Sequence, residues 1–176
     1  MGSRTLKMVL LVLTPLLVLV CGTTFALMLR QTEPLDNQFD AAIVSCAVAE
    51  AFENNTKSSI AVTNTGNIDA YLRLRLVSYW VDSDGNIVSK PSQIPEISSP
   101  ANGWIKGTDN TYYYPDPVAP GGTTLSLLGG SIVLAEEDGY LQVVEVFADA
   151  IQSEPKRAVT ESWSVTISGD TITVVP

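Results

Sequence analysis

IDAYLRLRLVSYWV (68–81) decides the fold. Leu72, Leu74, Leu76 and Trp80 fall on one side of an extended chain, and Tyr71, Arg73, Arg75, Val77 and Tyr79 fall on the other. A period of two kept over this length reads as a strand and not as a helix, whose repeat is 3.6. GYLQVVEVFADAIQ (139–152) reads as a second long strand, with Glu145 and Asp149 on one face. Placed side by side, the two would set Arg73 and Arg75 against those carboxylates. Such cross-strand pairs contribute a few tenths to about 1 kcal/mol each.

Working outward, DSDGN (82–86) closes a hairpin on Gly85, and NIVSK follows it. KSSIAVTN (57–64) alternates, with Ile60 and Val62 on one face, and TGN (65–67) turns on Gly66, a residue free to take positive φ. AAIVSCAV (41–48) is an apolar run of strand length. TTLSLL (123–128) and SIVLA (131–135) read as short strands joined by Gly129-Gly130. Pro155 permits a turn of helix through about Glu161. WSVTI (163–167) and TITVV (171–175) form a final hairpin around Ser168-Gly169-Asp170. Residues 91–121 hold six of the ten prolines and read as a long irregular excursion. Short strands, frequent turns and almost no helical pattern predict an all-β fold, a jelly-roll-like antiparallel β-sandwich over residues 41–176.

A different physics governs the N-terminus. Residues 8–29, MVLLVLTPLLVLVCGTTFALML, hold 22 positions without a charge, preceded by Arg4 and Lys7. Roughly 20 apolar residues cross a bilayer, and a basic start followed by an apolar run is an export signal. Residues 1–30 therefore form a signal peptide or an N-terminal membrane anchor, and the polar QTEPLDNQFD (31–40) is a linker. Thr24-Phe25-Ala26 offers small residues at the two positions that a signal peptidase reads, which makes Ala26 the cleavage candidate. If the segment is kept, Arg4 and Lys7 hold the N-terminus in the cytoplasm. Val20 stands before Cys21 where lipidation wants a small residue, and Leu6 replaces the hydroxyl residue of a myristoylation motif.

Three of the ten cations (Arg4, Lys7, Arg30) and none of the 19 acids lie in the first 30 residues. The rest has seven cations against 19 acids, a formal charge of −12. Such a surface repels nucleic acid and anionic headgroups, so no nucleic-acid partner is expected. Cys21 lies inside the apolar run and Cys46 outside it, which leaves no intramolecular disulfide, and Cys46 in IVSCAV reads as a small buried hydrophobe. Histidine is absent, so no Ser-His-Asp triad and no Cys/His zinc site can form. Asp82, Asp84 and Asn86 alternate as in a calcium loop, but glycine stands at loop position 4 and Gln93 at position 12. Glu136, Glu137 and Asp138 precede Gly139 as a solvated turn. Trp104 with Tyr112, Tyr113 and Tyr114 is either the local core of the long excursion or a surface that binds glycan or protein. Asn54-Asn55-Thr56 matches a glycosylation sequon. No cofactor, catalytic or metal-binding residue is expected.

NTGNIDAYLRLRL (64–76), NGWIKGTDNTYYYPDPVAPGGTT (102–124) and VEVFADAIQSEPKRAVTESW (144–163), in that order, resemble the TasA/camelysin-like exported proteins of Gram-positive bacteria. TTFALML (23–29) stands where that family's signal carries an aromatic-rich cleavage region. The resemblance implies a jelly-roll domain, processing by a dedicated signal peptidase, a place outside the cell or on its surface, and fibres of a biofilm matrix. The expected function is a structural subunit that associates with itself by donor-strand exchange. Ile43, Val44 and Val48 would enter a neighbour's sheet. Two alternatives stand beside it: a metallopeptidase of the camelysin type, for which no ligand cluster is visible, and a membrane-tethered binding module.

Overall fold

The structure, a computed structural model, describes residues 2–30, 40–95, 97, 100–108 and 110–174. Most of the linker (31–39) lies outside the described residues. The chain divides into two compact units, Met1–Asp40 and Ala41–Pro176.

The first unit contains helix α1, Ser3–Arg30, interrupted in sequence by Pro15. Thr14 and Thr23 return their hydroxyls to backbone carbonyls of the preceding turn, Thr14 to Leu10 and Thr23 to Leu19 and Val20. Their polar groups are thereby satisfied within the helix, as hydrocarbon requires. Leu6–Thr23 is long and apolar enough to cross a membrane. Candidate Ala26 lies inside the same helix.

The second unit is all-β and antiparallel. Its strands are β1 (Cys46–Glu53), β2 (Thr56–Asn64), β3 (Ala70–Val81), β4 (Ile87–Val88), β5 (Ile105–Lys106), β6 (Thr111–Tyr113), β7 (Ile132–Val133), β8 (Glu136–Glu137), β9 (Tyr140–Gln152), β10 (Thr166–Ser168) and β11 (Thr171–Thr173), with helix α2 (Lys156–Trp163) between β9 and β10. One sheet has the order β1-β2-β7, a larger one the order β5-β6-β3-β9-β8 with β4 beside β3, and β10-β11 is a separate hairpin. The two long strands pair along their whole length, from Ala70 opposite Gln152 to Val81 opposite Leu141. Side chains directly opposite share a face. Leu72, Leu74 and Leu76 therefore point the same way as Ala150, Ala148 and Val146. They meet Ile60 and Val62 of the smaller sheet in the main core, with Trp104, Tyr112 and Leu127. The other face carries Tyr71, Tyr113 and Ile151, which pack with Val159, Trp163, Val165 and Ile172 into a second cluster.

The anticipated charge ladder forms in part. Arg73 stands opposite Asp149 and its Nε donates to Oδ2 at 2.9 Å. Arg75 stands opposite Phe147, and Glu145 opposite Val77. Gly85 (φ 83) and Gly169 (φ 65) turn their hairpins through positive φ as expected. Gly66 has a different role. It is not among the positive-φ residues, and a Cβ there would collide with the Ile43 carbonyl, so glycine is needed for close approach of two chain segments.

Residues 123–128 were expected to be a strand and are not one. They follow β2 through Thr124 N to Val62 O (2.9 Å) and Leu127 N to Ile60 O (2.7 Å). The reciprocal donors, Val62 N and Ile60 N, bond the hydroxyls of Thr124 and Ser126 at 3.0 and 3.3 Å. Side-chain oxygens thus take positions that carbonyls would fill in a regular ladder.

Candidate functional site

β1 is the outermost strand of its sheet, and its far side has no strand neighbour among the described residues. β9 pairs with β8 only at Tyr140 and Leu141, so from Val143 to Gln152 it has β3 alone beside it among the described residues. The two open edges lie next to each other. The Asp149 charge acts on Cys46 at the start of β1, and Phe52 near its end shares a groove with Leu141 at the start of β9. The edges therefore run in opposite directions along one mouth of the sandwich.

The mouth is a groove of about 530 Å³. Val48, Glu50 and Phe52 of β1 border it on one side, and β9 from Leu141 to Val146, with Tyr79 and Val81 of β3, on the other. Val48 stands opposite Val62 and Glu50 opposite Ile60, so both aim toward the space between the sheets. Between Ala51 and Phe52 the register shifts, and Lys57 comes opposite Phe52. That irregularity turns Lys57 inward. Its Nζ meets Glu50 Oε2 at 2.6 Å, with the Phe52 ring centroid 5.1 Å away. The Lys57 side chain is 6% exposed and that of Glu50 37%. This charged pair stands in an opening that Glu145, Gln142 and Asn55 also line. Burial pushes the Cys46 thiol above its usual range, and the Asp149 charge adds to the shift. The thiol is thereby kept neutral and weakly nucleophilic.

The three donor candidates have separate fates. Val48 belongs to β1 and pairs with β2 of its own sheet, so the run 41–48 is not one free strand. Ile43 and Val44 precede the strand and are exposed, Ile43 by 56%. Residues 41–45 are held irregularly by the turn after β2. Asn67 Oδ1 accepts from Ile43 N at 2.7 Å, Asn67 Nδ2 donates to Ala41 O at 2.9 Å, and Asn67 N donates to Ile43 O at 3.0 Å. The turn that brings Asn67 here is tied by Asn64. Fully buried, it donates Nδ2 to Ile68 O and Val118 O at 2.8 Å each.

The aromatic set is not an exposed platform. Trp104 is 4% exposed, Tyr112 1% and Tyr113 7%, and Tyr114 is half-buried. Trp104 Nε1 donates to Leu125 O at 2.8 Å, and its ring meets Tyr114 edge-on at 5.2 Å. Tyr112 belongs to the main core and Tyr113 to the second cluster, on opposite sides of the sheet. Consecutive strand residues point to opposite faces, which is why three adjacent tyrosines cannot form one surface.

Asp82, read as part of a turn, accepts at Oδ1 from Asp84 N (2.9 Å) and Asn86 N (2.8 Å). Hydrogen bonds from the Asn86 backbone and then its side chain hold the Asp82 carboxyl below its ordinary value. Glu136, Glu137 and Asp138 form the β8–β9 hairpin, and Glu137 Oε2 lies 2.9 Å from Lys90 Nζ. No group of three His, Cys, Asp or Glu side chains placed to hold a metal occurs among the described residues. The two open edges were invisible in the sequence, because edge position follows from which strands pair. Neither a protein-family model, nor a curated protein, nor a solved structure matches the chain.

Proposed function

We propose that this is an exported, non-enzymatic protein of the bacterial cell surface or matrix, a subunit that polymerises by lending its N-terminal segment to a neighbour's sheet. The observation that supports this most is the unpaired edge of β9 from Val143 to Gln152, lying beside the free edge of β1. A long strand with exposed backbone donors and acceptors is a template for another strand, and proteins that stay monomeric cover or charge such edges. A candidate donor precedes β1. Leu35, Phe39 and Ile43 recur at odd positions, so they would share one face of an extended segment. Since Val48 is engaged in β1, the donor is residues 31–45, with Ile43 and Val44 as its described apolar side chains.

Helix α1 fits delivery across the membrane, and its release by a signal peptidase would free the donor segment. An uncleaved α1 would tether the subunit to the membrane instead. The likeness to TasA/camelysin-like proteins supports the matrix role and a Gram-positive host. Donation is head-to-tail, so it propagates instead of closing. Its energetic cost is modest, because the bonds that residues 41–45 give up to the Asn64–Asn67 turn are replaced by bonds to β9.

The test combines mass spectrometry of the mature N-terminus with electron microscopy. Cleavage near Ala26 and loss of long polymers on deleting residues 31–45 are expected. Polymers of undiminished length in the deletion variant would end this reading. Gly66→Ala gives an orthogonal check. By evicting the Ile43 carbonyl it should release residues 41–45 from their own chain and speed polymer growth.

A further inference from the structure

We propose that a break in the β6-facing edge of β3 binds the C-terminal end of an extended peptide, with its terminal carboxylate held by Arg75. Strand donation uses the edge of β9, so neither contact requires the other.

β3 has β9 along the whole of one edge. Its other edge is covered in two pieces, by β6 opposite Arg73, Leu74 and Arg75 and by β4 opposite Trp80 and Val81. Between the two pieces, Val77, Ser78 and Tyr79 have no strand beside them among the described residues. Leu76 N donates to Asn110 O at 3.1 Å, away from β9. Backbone groups of alternate residues point the same way in an antiparallel ladder, so the N–H and C=O of Ser78 also face the break. Neither has a hydrogen-bond partner among the described residues. The break opens into a cleft of about 660 Å³ lined by Arg75, Ser78, Ser92, Gln93 and Asn110. Buried Gln142 fixes its floor. Its Oε1 accepts from Ala135 N at 3.1 Å, and its Nε2 lies 3.1, 3.2 and 2.7 Å from Ser78 Oγ, Ser92 Oγ and Gln93 O. The two serine hydroxyls are 2.6 Å apart. Arg75 is exposed and in no ion pair among the described residues; Glu145, one diagonal step away on β9, does not pair with it.

A guest residue opposite Ser78 would exchange two backbone hydrogen bonds with it. Its side chain would point with that of Ser78 onto the serine floor, which leaves room only for a small one. β4 and β6 both run antiparallel to β3, and a guest in line with them travels from the Trp80 end toward Leu76. There Asn110 already stands in the partner's place, so the guest strand ends after the residue opposite Val77. Its chain end then falls beside Arg75, whose planar guanidinium takes a carboxylate through paired N–H donors. A guest of opposite polarity would set its terminal ammonium there, against a like charge. The idle backbone groups of Ser78, the closed end of the cleft and the unpaired Arg75 thus select one ligand chemistry: a peptide carboxyl terminus with a small penultimate residue.

The experiment titrates the isotope-labelled full chain, in a mild detergent, with the peptide acetyl-Thr-Val-Ala-Val as its free acid, and follows the Ser78 amide by nuclear magnetic resonance. The signal should shift and saturate. The same peptide with its carboxyl group amidated, or with a methyl group on the alanine nitrogen, should bind about tenfold more weakly or worse, since one loses the charge and the other the bond to Ser78 O. Acetyl-Thr-Val-Ala-Glu amide, which carries a carboxylate on a side chain and none at its end, should bind no better than the amidated peptide. Arg75→Gln should lower the affinity for the free acid to that for the amide and leave the amide's own affinity unchanged; a melting temperature near that of wild type establishes that the variant is folded. A Ser78 signal that the free acid does not move, equal binding of acid and amide, full binding of the glutamate amide, or a folded Arg75→Gln that holds the free acid as wild type does would each overturn the proposal.

Discussion

The outer face of β3 and β9 is one continuous surface with two unlike ends. At one end Tyr71 is 1% exposed; four register steps along, Phe147 is 44% exposed. Strands, face and residue types are similar. The difference is α2 with β10–β11, which places Val159, Trp163 and Ile172 over Tyr71 and Tyr113 and nothing over Phe147. Residues 156–173 thus convert one end of a sheet face into core. Polar staples fix that cover. Tyr71 donates its hydroxyl to Asp170 O at 2.7 Å, and Lys156 Nζ reaches Asp170 Oδ1 at 2.7 Å and Gly169 O at 2.5 Å. Burial can therefore be supplied locally by a short segment that follows the long strands.

Each end should respond to mutation in its own way. Trp163→Ala should cost about 3–5 kcal/mol by emptying the covered end, whereas Phe147→Ala should change monomer stability by only about 0.5 kcal/mol. Chemical denaturation of the two variants measures both, and equal losses would erase the distinction. Tyr71→Phe removes one hydrogen bond and keeps the ring, so a loss of about 1 kcal/mol is expected in the same assay. Arg73→Ala loses the Asp149 pair and the contact with Trp163, for about 0.5–1.5 kcal/mol, while Arg75→Ala should leave the melting temperature of the monomer unchanged.

The smallest effect is a pH dependence at the covered end; burial also raises Tyr112 in the main core above its ordinary value. Burial, followed by the Asp170 charge, raises Tyr71 above its ordinary 10.0, and the hydrogen bond to Asp170 raises Lys156 above 10.5. Both groups hold their protons more tightly in the folded state. Their contribution is complete below the ordinary values and is lost as pH rises through the folded ones. Near-ultraviolet circular dichroism should show the environment of Trp163 loosening above about pH 10 before the main core melts. Simultaneous loss of both signals would mean that Tyr71 and Lys156 do not make the cover more sensitive than the core around Tyr112.

The long strands were legible because their alternation is strict and their length excludes other readings. From it followed the Arg73–Asp149 pair, the hairpin on Gly85 and the C-terminal hairpin. The start of β1 was misplaced by several residues, since Ala41–Ser45 are apolar enough for a strand but spend their backbone groups on Asn67. Asn54 and Asn55, read as a sequon, are the two positive-φ residues (φ 49 and 56) of the β1–β2 hairpin. Two adjacent asparagines between alternating runs are a fair sign of such a turn. The strand expected at 123–128 failed because Thr124 and Ser126 offer hydroxyls where a ladder needs carbonyls. Of the donor candidates, Ile43 and Val44 precede β1 and Val48 lies within it. The aromatic set went inside because strand geometry splits adjacent residues between two cores.

The Glu50–Lys57 pair gives the mouth of the sandwich a chemical filter. A guest that was greasy along its whole length would seal the carboxylate away from water while leaving one of its oxygens without a donor, a cost of several kcal/mol. An acceptable guest must be oily at its ends and offer an amide or hydroxyl at the step that meets Glu50. Spacing of polar and apolar residues, more than oiliness alone, would then decide which strands are admitted.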